Sequence, residues 1–357
     1  MSAGAETRDP LIRWWPLFLV AILAGAFLIE RTLFITDPQP YEARREMMDT
    51  WVSVTVYDTD ERHAESAIDA AFSRMEDVVG IASVHDPNAE ASRLNDAGLA
   101  TSPSRELFDI LLASQRISAL SGGVFDVTIA PLLALWEYDP DAQTQFWELA
   151  MADQQAAINE AMSVVGADRI SLIEDPEPAI SLAPGTRITL GGIAKGYIVD
   201  QGILALQAEG IAHALIDAGG DIAVIGGKPG GGKWEIALLN PEDETEAVAR
   251  FALDSGAIAT SGNYRRFFDP DEQVGHIVDP RTGYSARKSS SATVIAPTCA
   301  EADALATAVF ILGPAAGIEM VDELTAVEAM VLGFEDPKSI VRSQHVGDYE
   351  LRKKDGV

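Results

Sequence analysis

Hydrophobic and polar positions follow two different periods along the chain, and together these periods predict a domain of both helices and strands. Residues 51–57 alternate, with Val52, Val54 and Val56 on one side, which is typical of a half-buried strand. Residues 64–79 instead repeat their apolar positions at helical spacing. The same two patterns predict further helices over residues 105–120, 154–165, 193–209, 300–312 and 315–324, and short strands over residues 170–173, 188–190, 213–217, 222–225, 234–239, 257–260 and 291–295. Because helices and strands do not strictly alternate, we expect an α+β or mixed α/β domain with a mixed sheet.

An apolar segment near the start of the chain, residues 14–30, stands apart from these elements. It is slightly shorter than the ~20 residues that span a bilayer comfortably, and it is either a transmembrane anchor or a cleaved signal segment. Arg8 and Arg13 precede it, so the positive-inside rule places the folded domain on the periplasmic, exterior face of an inner membrane. We therefore predict five segments along the chain: a short tail (1–13), the apolar segment (14–30), a linker (31–46), a folded domain (47–345) and a polar tail (346–357).

The charge of the chain narrows the range of partners. It carries 26 basic and 55 acidic side chains, a formal net charge of −29, which argues against a nucleic-acid or anionic membrane surface. An anionic substrate would need local compensation by a metal ion or a helix N-terminus. Cys299 is the single cysteine, so the chain forms no internal disulfide.

The segment 298–313 places an acid and a hydroxyl one helical turn apart. Thr298 and Glu301 have the spacing of a capping box that opens the helix, and Asp303 and Thr307 then share one face. These two hard oxygen ligands suit Mg²⁺, which leaves further coordination positions for water and phosphate. The alternative is structural, with the acid complementing the helix dipole and the Thr packed against the preceding turn.

Two glycine-rich segments favour different interpretations. Residues 189–197 lead through paired glycines into a helix, where free N–H groups could bind phosphate and Lys195 could assist, or they form a plain turn. Residues 227–233 match the start of a Walker A motif, but Trp234 replaces the Ser or Thr and strand-like residues follow. This second segment is therefore predicted as a hairpin loop.

Two further segments carry candidate chemistry. In residues 122–132, Phe125 could cover a planar ring and Asp126 could accept a hydrogen bond from it, although such a loop is also ordinary in a core. His276, in the segment 276–283, is a candidate general base, although a lone histidine is more often a structural hydrogen-bonding group.

Taken together and in order, these segments resemble the FAD:protein FMN transferases, the ApbE-like flavin transferases. The resemblance covers roughly residues 47–335. The matching segments are residues 123–132, 190–197, 217–221, 260–266, 276–283 and 296–313, preceded by residues 48–50, 83–87 and 92–95.

The resemblance implies a single ApbE-like (T-fold-like) domain and a Mg²⁺-dependent reaction that cleaves the pyrophosphate of the substrate FAD. FMN would pass to a Ser or Thr hydroxyl of an acceptor protein, such as a membrane redox subunit of a sodium-pumping NADH:quinone reductase or an Rnf-type complex, and AMP would be released.

The resemblance also implies roles for individual residues. Asp303, Thr307 and the carbonyl of Gly192 would bind Mg²⁺, and His276 would act with Asp303 in catalysis, as the base for the acceptor hydroxyl. The residues that would contact FAD are Met48, His85, Val124, Phe125, Asp126, Thr189, Lys195 and Ile277.

The sequence departs from the family pattern at three positions. Thr189 stands where the family usually has Asp, Asp49 where it commonly has Gly, and His85 where it has an aromatic residue. The loss of the acid at Thr189 removes one expected hydrogen bond to FAD. Two alternatives to the transferase are a pyrophosphatase that passes FMN to water and a flavin-binding module without catalysis.

Overall fold

The computed structural model describes residues 37–351 of the 357-residue chain, apart from residues 242, 264–267, 270–273 and 337. The helices are α1 (Glu61–Ala82), α2 (Glu90–Ala97), α3 (Arg105–Leu120), α4 (Ala130–Trp136), α5 (Met151–Met162), α6 (Ala194–Ala208), α7 (Cys299–Leu312) and α8 (Pro314–Asp322). The strands are β1 (Gln39–Met47), β2 (Thr50–Asp58), β3 (Leu99–Thr101), β4 (Ile170–Ile173), β5 (Ala179–Leu182), β6 (Ala214–Ala218), β7 (Asp221–Ile225), β8 (Trp234–Asn240), β9 (Asp243–Leu253), β10 (Gly256–Gly262), β11 (Ser289–Ala296), β12 (Glu328–Gly333) and β13 (Ile340–Arg342).

The main sheet has eight strands in the order β1-β2-β6-β7-β10-β11-β12-β13. A three-stranded sheet, β3-β5-β4, and the β8–β9 hairpin complete the strand structure. The predicted α/β fold class is confirmed. The sheet itself differs from the mixed arrangement, because each pairing among the described strands of the main sheet is antiparallel.

Helices cover one face of the main sheet and the β8–β9 hairpin covers the other. The alternation in β2 is confirmed, since Val52, Val54 and Val56 are fully buried in the core shared with α1. On the opposite face, Trp234 of β8 and Phe251 of β9 join a second apolar cluster with Ile258 of the sheet. Each face of the sheet is thus removed from water, which is the main source of its stability.

Helix α7 is the central element of the helical layer. Its residues from Cys299 to Ile311 are buried except for Glu301 and Thr307. The predicted cap is confirmed in one half: Thr298 Oγ1 accepts the Glu301 N–H at 3.3 Å, whereas the Glu301 carboxylate pairs with Arg116 at 2.9 Å.

The predicted start of the folded domain at residue 47 is wrong. Residues 39–46, assigned to the linker, belong to β1 at the edge of the main sheet, which is paired along its length with β2. The charged residues of β1 concealed its period, because Arg45 covers the ring of Phe72 rather than standing free in water. An edge strand tolerates such charges and the proline at position 40.

The first half of the polar tail predicted for residues 346–357 is packed on the domain, contrary to the prediction. Val346 is buried, and the Leu351 N–H donates to the Arg250 carbonyl of β9 at 2.8 Å. Residues 346–351 are therefore packed on the domain, and residues 352–357 lie outside the described residues.

The strand predicted at residues 188–190 is not formed. The side chain of Asn95 accepts the Ile188 N–H at 2.6 Å and donates to the Ile188 carbonyl at 2.8 Å. The Thr189 N–H then donates to the Val127 carbonyl at 2.7 Å. A side chain thus takes the place of a strand partner.

The apolar segment 14–30 and the tail 1–13 lie outside the described residues. Within the part of the chain that the structure describes, no helix has both the length and the hydrophobicity needed to cross a membrane.

Candidate functional site

Asp303 and Thr307 lie on the face of α7 that meets the start of α6. Asp303 is 6% exposed, and its Oδ2 accepts the Gly196 N–H at 3.1 Å. The two helices meet closely at this point, since a Cβ on Gly196 would stand 2.3 Å from the Cys299 carbonyl oxygen. Glycine at position 196 is therefore required for the approach.

The paired glycines before α6 bring a backbone turn against Thr307. A Cβ built on Gly192 would lie 3.4 Å from Thr307 Oγ1 and 3.2 Å from a ring carbon of Phe125. Thr307 Oγ1 also lies 3.2 Å from Ser261 Oγ of β10. The structure thus brings together Gly192, Asp303 and Thr307, the three residues assigned to the metal from the resemblance.

Lys195 reaches into the same region from the first turn of α6. Its Nζ lies 2.9 Å from Asp221 Oδ2, and Asp221 is 2% exposed. Burial acts to lower the pKa of Lys195, but the negative charges of Asp221 and Asp303 outweigh it and raise that pKa. Burial also raises the pKa of Asp221, which Lys195 offsets in part.

Mg²⁺, which the resemblance implies, fits this group of residues. Burial, followed by the charge of Asp221, raises the pKa of Asp303 well above its ordinary value, and Lys195 offsets this only in part. The Lys195 ammonium offsets the charge of only one of the two acids, so ionisation of Asp303 leaves a negative charge that a divalent cation would balance. Among the described residues, no three His, Cys, Asp or Glu side chains are grouped to hold a metal ion. A cation beside Asp303 would therefore complete its shell with hydroxyl, carbonyl and water oxygens, as Mg²⁺ does.

Of the predicted flavin-contacting residues 124–126, the first two lie in the core and Asp126 is half-buried. Val124 and Phe125 are buried at 2% and 4% exposure, so Phe125 forms a wall against Gly192 and not an open platform. Asp126 Oδ1 accepts the Thr128 N–H at 2.8 Å and its hydroxyl at 2.6 Å. Burial raises the pKa of Asp126, and these hydrogen bonds oppose the rise.

A groove of about 580 Å³ lies beside Asp126. It is bordered by Gly122 and Gly123 on one side and by Pro280 and Arg281 on the other. Two of the motifs found in the sequence, residues 122–132 and 276–283, therefore border one groove. Its volume is in the range of small-molecule and cofactor sites.

Met48 lies in the two-residue turn between β1 and β2. Both Met48 and Asp49 have left-handed backbones, with φ of 55° and 56°. The turn stands against the glycine turn between β6 and β7, because a Cβ on Gly219 would lie 2.4 Å from Thr50 Oγ1. Met48 and Asp221 therefore lie at the same end of the strands of the main sheet.

Two other predicted flavin contacts lie in different surroundings. Thr189 lies just before the paired glycines and is half-buried, with its N–H tied to the Val127 carbonyl. His85 is exposed on a loop in which its N–H donates to Ser83 Oγ at 3.3 Å. In the described residues, no hydrogen bond or ion pair joins His85 directly to Asp303.

His276 and Ile277 are held in place by Asn263 at the end of β10. Asn263 Oδ1 accepts the Ile277 N–H at 3.1 Å, and its Nδ2 donates to the Ala286 carbonyl at 3.2 Å. A Cβ on Gly275 would lie 2.2 Å from the Asn263 side chain, so the segment before His276 packs directly on it. The Ile277 N–H is therefore already engaged, its carbonyl accepts the Ala286 N–H at 2.8 Å, and its side chain is buried at 8% exposure.

Sequence reasoning did not single out Asp221, Asn263 or Asp200, which caps α7. Asp221 and Asn263 lie inside segments already recognised, residues 217–221 and 260–266, and this position was the signal that the sequence offered. Their burial is known only from the structure. Residues 264–266 of the second segment lie outside the described residues.

The glycine-rich segment 227–233 takes no part in this site. A bridge closes it, in which the Lys228 N–H donates to the Gly232 carbonyl at 2.6 Å, and strand β8 follows. The segment is thus a loop, as predicted, but it is not a hairpin loop, because β7 before it and β8 after it belong to different sheets.

The sequence and the fold are similar to those of known proteins. The sequence model of the ApbE family matches residues 48–331. A protein named FAD:protein FMN transferase from Klebsiella pneumoniae is 29% identical over 319 residues, covering 86% of this chain and 89% of the relative. A protein of the same name from Haemophilus influenzae is 32% identical over 260 residues, covering 70% of this chain and 73% of the relative.

Among solved structures, the ApbE protein from Thermotoga maritima superposes with a TM-score of 0.77 at 27% identity, covering 88% of this chain and 100% of that one. The flavin transferase ApbE from Vibrio cholerae superposes with a TM-score of 0.72 at 24% identity, covering 87% of this chain and 99% of that one. This second likeness concerns the fold alone.

Proposed function

This chain belongs to the ApbE family, and on that basis we propose that it is a Mg²⁺-dependent FAD:protein FMN transferase. The observation that carries the proposal is the convergence of Asp303, Thr307 and Gly192 beside Lys195 at the start of α6. Four groups from two separate segments of the chain meet at one helix N-terminus, where a pyrophosphate is favourably bound.

The reaction exchanges the phosphoanhydride bond of the FAD pyrophosphate for a phosphoester bond to the acceptor. The acceptor hydroxyl oxygen bonds to the phosphorus of the FMN half, the bond from that phosphorus to the bridging oxygen breaks, and AMP leaves with that oxygen. Bound Mg²⁺ would supply positive charge that stabilises the transferring phosphoryl group and the leaving AMP.

The residues of the chain position the reactants around that step. Asp303 and Thr307 would hold the metal. The Lys195 ammonium would bind the pyrophosphate through the N–H donors that do not contact Asp221. His276 would accept the proton of the acceptor hydroxyl. Met48, Phe125 and the groove beside Asp126 would bind the rest of FAD.

The acceptor and the location are further parts of the proposal. The apolar segment 14–30, preceded by Arg8 and Arg13, supports a membrane-attached protein whose folded domain faces the periplasm. An acceptor on the same face, such as a membrane redox subunit of a NADH:quinone reductase or an Rnf-type complex, would then be within reach.

The test incubates the full-length protein, purified in detergent, with FAD and Mg²⁺, with and without a Thr-containing acceptor domain. AMP is measured by chromatography and the acceptor by intact mass. We expect one FMN on the acceptor, loss of labelling in Asp303→Asn, and normal labelling in Asp77→Asn, a matched change at an exposed position of α1.

Other results would contradict the proposal in specific ways. AMP release without labelling of any acceptor would show a FAD pyrophosphatase. Binding of FAD without AMP release would show a flavin-binding module.

A further inference from the structure

Lys195 occupies an unusual place for a cation, the first turn of a helix. The positive end of the helix dipole disfavours a positive charge there. Two buried carboxylates, Asp221 and Asp303, compensate that charge, and both influence Lys195 electrostatically. The single ammonium therefore has two possible partners, of which one is the metal-binding residue in the proposed function.

The ion pair that the structure forms is the one with Asp221. Lys195 Nζ lies 2.9 Å from Asp221 Oδ2, an atom that is buried and receives no hydrogen bond from any other described group. Asp303 instead accepts the Gly196 N–H. Asp221 is thus the anchor of the lysine, and Asp303 is left to other ligands.

A glycine turn sets the position of this anchor. Gly219 and Gly220 have φ of 66° and 102°, and the Gly220 N–H donates to Asp217 Oδ1 at 2.9 Å. β7 begins at the next residue, Asp221, and continues as an interior strand of the main sheet. The carboxylate is therefore held on rigid backbone.

We propose that Asp221 is a positioning residue that holds the Lys195 ammonium away from Asp303 and so leaves the Asp303 carboxylate open to the metal. Without this anchor, the ammonium would move to Asp303 and compete with the metal for its oxygens. The inference rests on the proposed function, because it requires that Asp303 bind a divalent cation.

The test measures metal binding and not turnover. Mn²⁺ serves as the probe, and the free ion is followed by electron paramagnetic resonance on the full-length protein, without nucleotide and with ADP. We expect D221N to weaken Mn²⁺ binding about tenfold, because an unpaired cation moves beside the carboxylate ligand. Removing that cation as well, in K195M/D221N, should restore Mn²⁺ binding without nucleotide to within about threefold of the wild type. For this variant only the measurement without ADP is compared, because Lys195 is itself proposed to contact the pyrophosphate.

The double variant separates positioning from a merely structural role. Loss of one partner of a buried pair can unfold a protein, whereas loss of both is better tolerated, so thermal unfolding is recorded for each variant. D254N is the matched control, since it breaks the exposed pair between Lys233 and Asp254 and should leave Mn²⁺ binding unchanged.

The outcomes distinguish this inference from the proposed function. Wild-type Mn²⁺ binding in D221N, or a double variant as weak as D221N, would overturn the positioning role while leaving the metal site intact. A different result would contradict the proposed function itself: no Mn²⁺ binding by the wild type, or binding that Asp303→Asn leaves unchanged, with and without ADP. The proposed metal site would then be wrong, and this inference would be wrong with it.

Discussion

The N-terminus of α7 is capped by a carboxylate from the neighbouring helix α6, and this predicts a specific pH dependence of stability. Asp200 Oδ1 accepts the Cys299 N–H at 2.8 Å, and Oδ2 accepts the Ala300 N–H at 2.9 Å. Burial nevertheless raises the pKa of Asp200 from 3.8 to about 6. The folded protein therefore holds a proton on Asp200 over a pH range in which the unfolded chain has lost it.

The sign and size of the effect follow from that shift. A raised pKa contributes stability that is fully present below the unfolded value and is lost as the pH rises through the folded value. Two pKa units correspond to about 3 kcal/mol in total, of which about 1 kcal/mol is lost between pH 5 and pH 7. Asp200→Asn keeps the side chain neutral at every pH and should remove this dependence.

The assay is urea unfolding at pH 5, 6 and 7 for the wild type, Asp200→Asn and the exposed control Asp77→Asn. The free energy of unfolding of the wild type should gain about 1 kcal/mol more than that of Asp200→Asn on going from pH 7 to pH 5. Acids that Asp200 does not influence titrate equally in both proteins, so their contributions cancel in the difference. The pKa of Asp303, which the charge of Asp200 helps to raise, changes with the substitution, so Asp200→Asn/Asp303→Asn is compared with Asp303→Asn in the same assay. Parallel pH profiles of the free energy of unfolding in both comparisons would refute the raised pKa of Asp200.

Three further changes test the geometry of the site. Asp49→Gly should raise the free energy of unfolding in urea by about 0.5–1 kcal/mol, because it relieves a left-handed backbone, and no gain would contradict that strain. Gly196→Ala should destabilise by about 1–3 kcal/mol, since its Cβ would meet the Cys299 carbonyl, and an unchanged melting temperature would contradict the close approach of α6 and α7. Asn263→Ala should lower the turnover number about tenfold with a smaller effect on FAD affinity, because the segment of His276 loses its support; equal turnover in Asn263→Ala and the exposed control Asn159→Ala would argue against this.

Local patterns in the sequence predicted the elements whose burial is regular. The alternation over residues 51–57 and the cap at Thr298 reflect short-range physics, in which each residue depends on neighbours within one turn or one pleat. β1 escaped prediction because its residues are exposed or half-buried and its strand pairing is with β2 alone. The strand predicted at residues 188–190 was wrong for the opposite reason, since the Asn95 side chain takes the hydrogen bonds that a strand partner would make.

The same division applies to the site. Asp303 and Thr307 were found because both lie on one helix at a spacing of four residues. The pairing of Lys195 with Asp221 and the support of Ile277 by Asn263 connect separate elements, so no spacing rule reveals them. Segments 217–221 and 260–266 marked where to look, but only the fold shows which of their polar groups meet a partner.

The meeting of α6 and α7 explains why charged groups are retained in the interior of this domain. Asp200 of α6 caps α7, Asp303 of α7 accepts an N–H of α6, and Gly196 lets the two backbones touch. The N-terminus of α6, where we propose that phosphate binds, and the face of α7, where we propose that the metal binds, are therefore fixed relative to each other. In phosphoryl transfer, where positioning and charge stabilisation supply most of the catalysis, such a rigid arrangement lowers the barrier more than additional apolar packing at the same positions would. The free energy spent on burying Asp303 thus supports the proposed function, whereas Asp200 serves to hold α7 against α6.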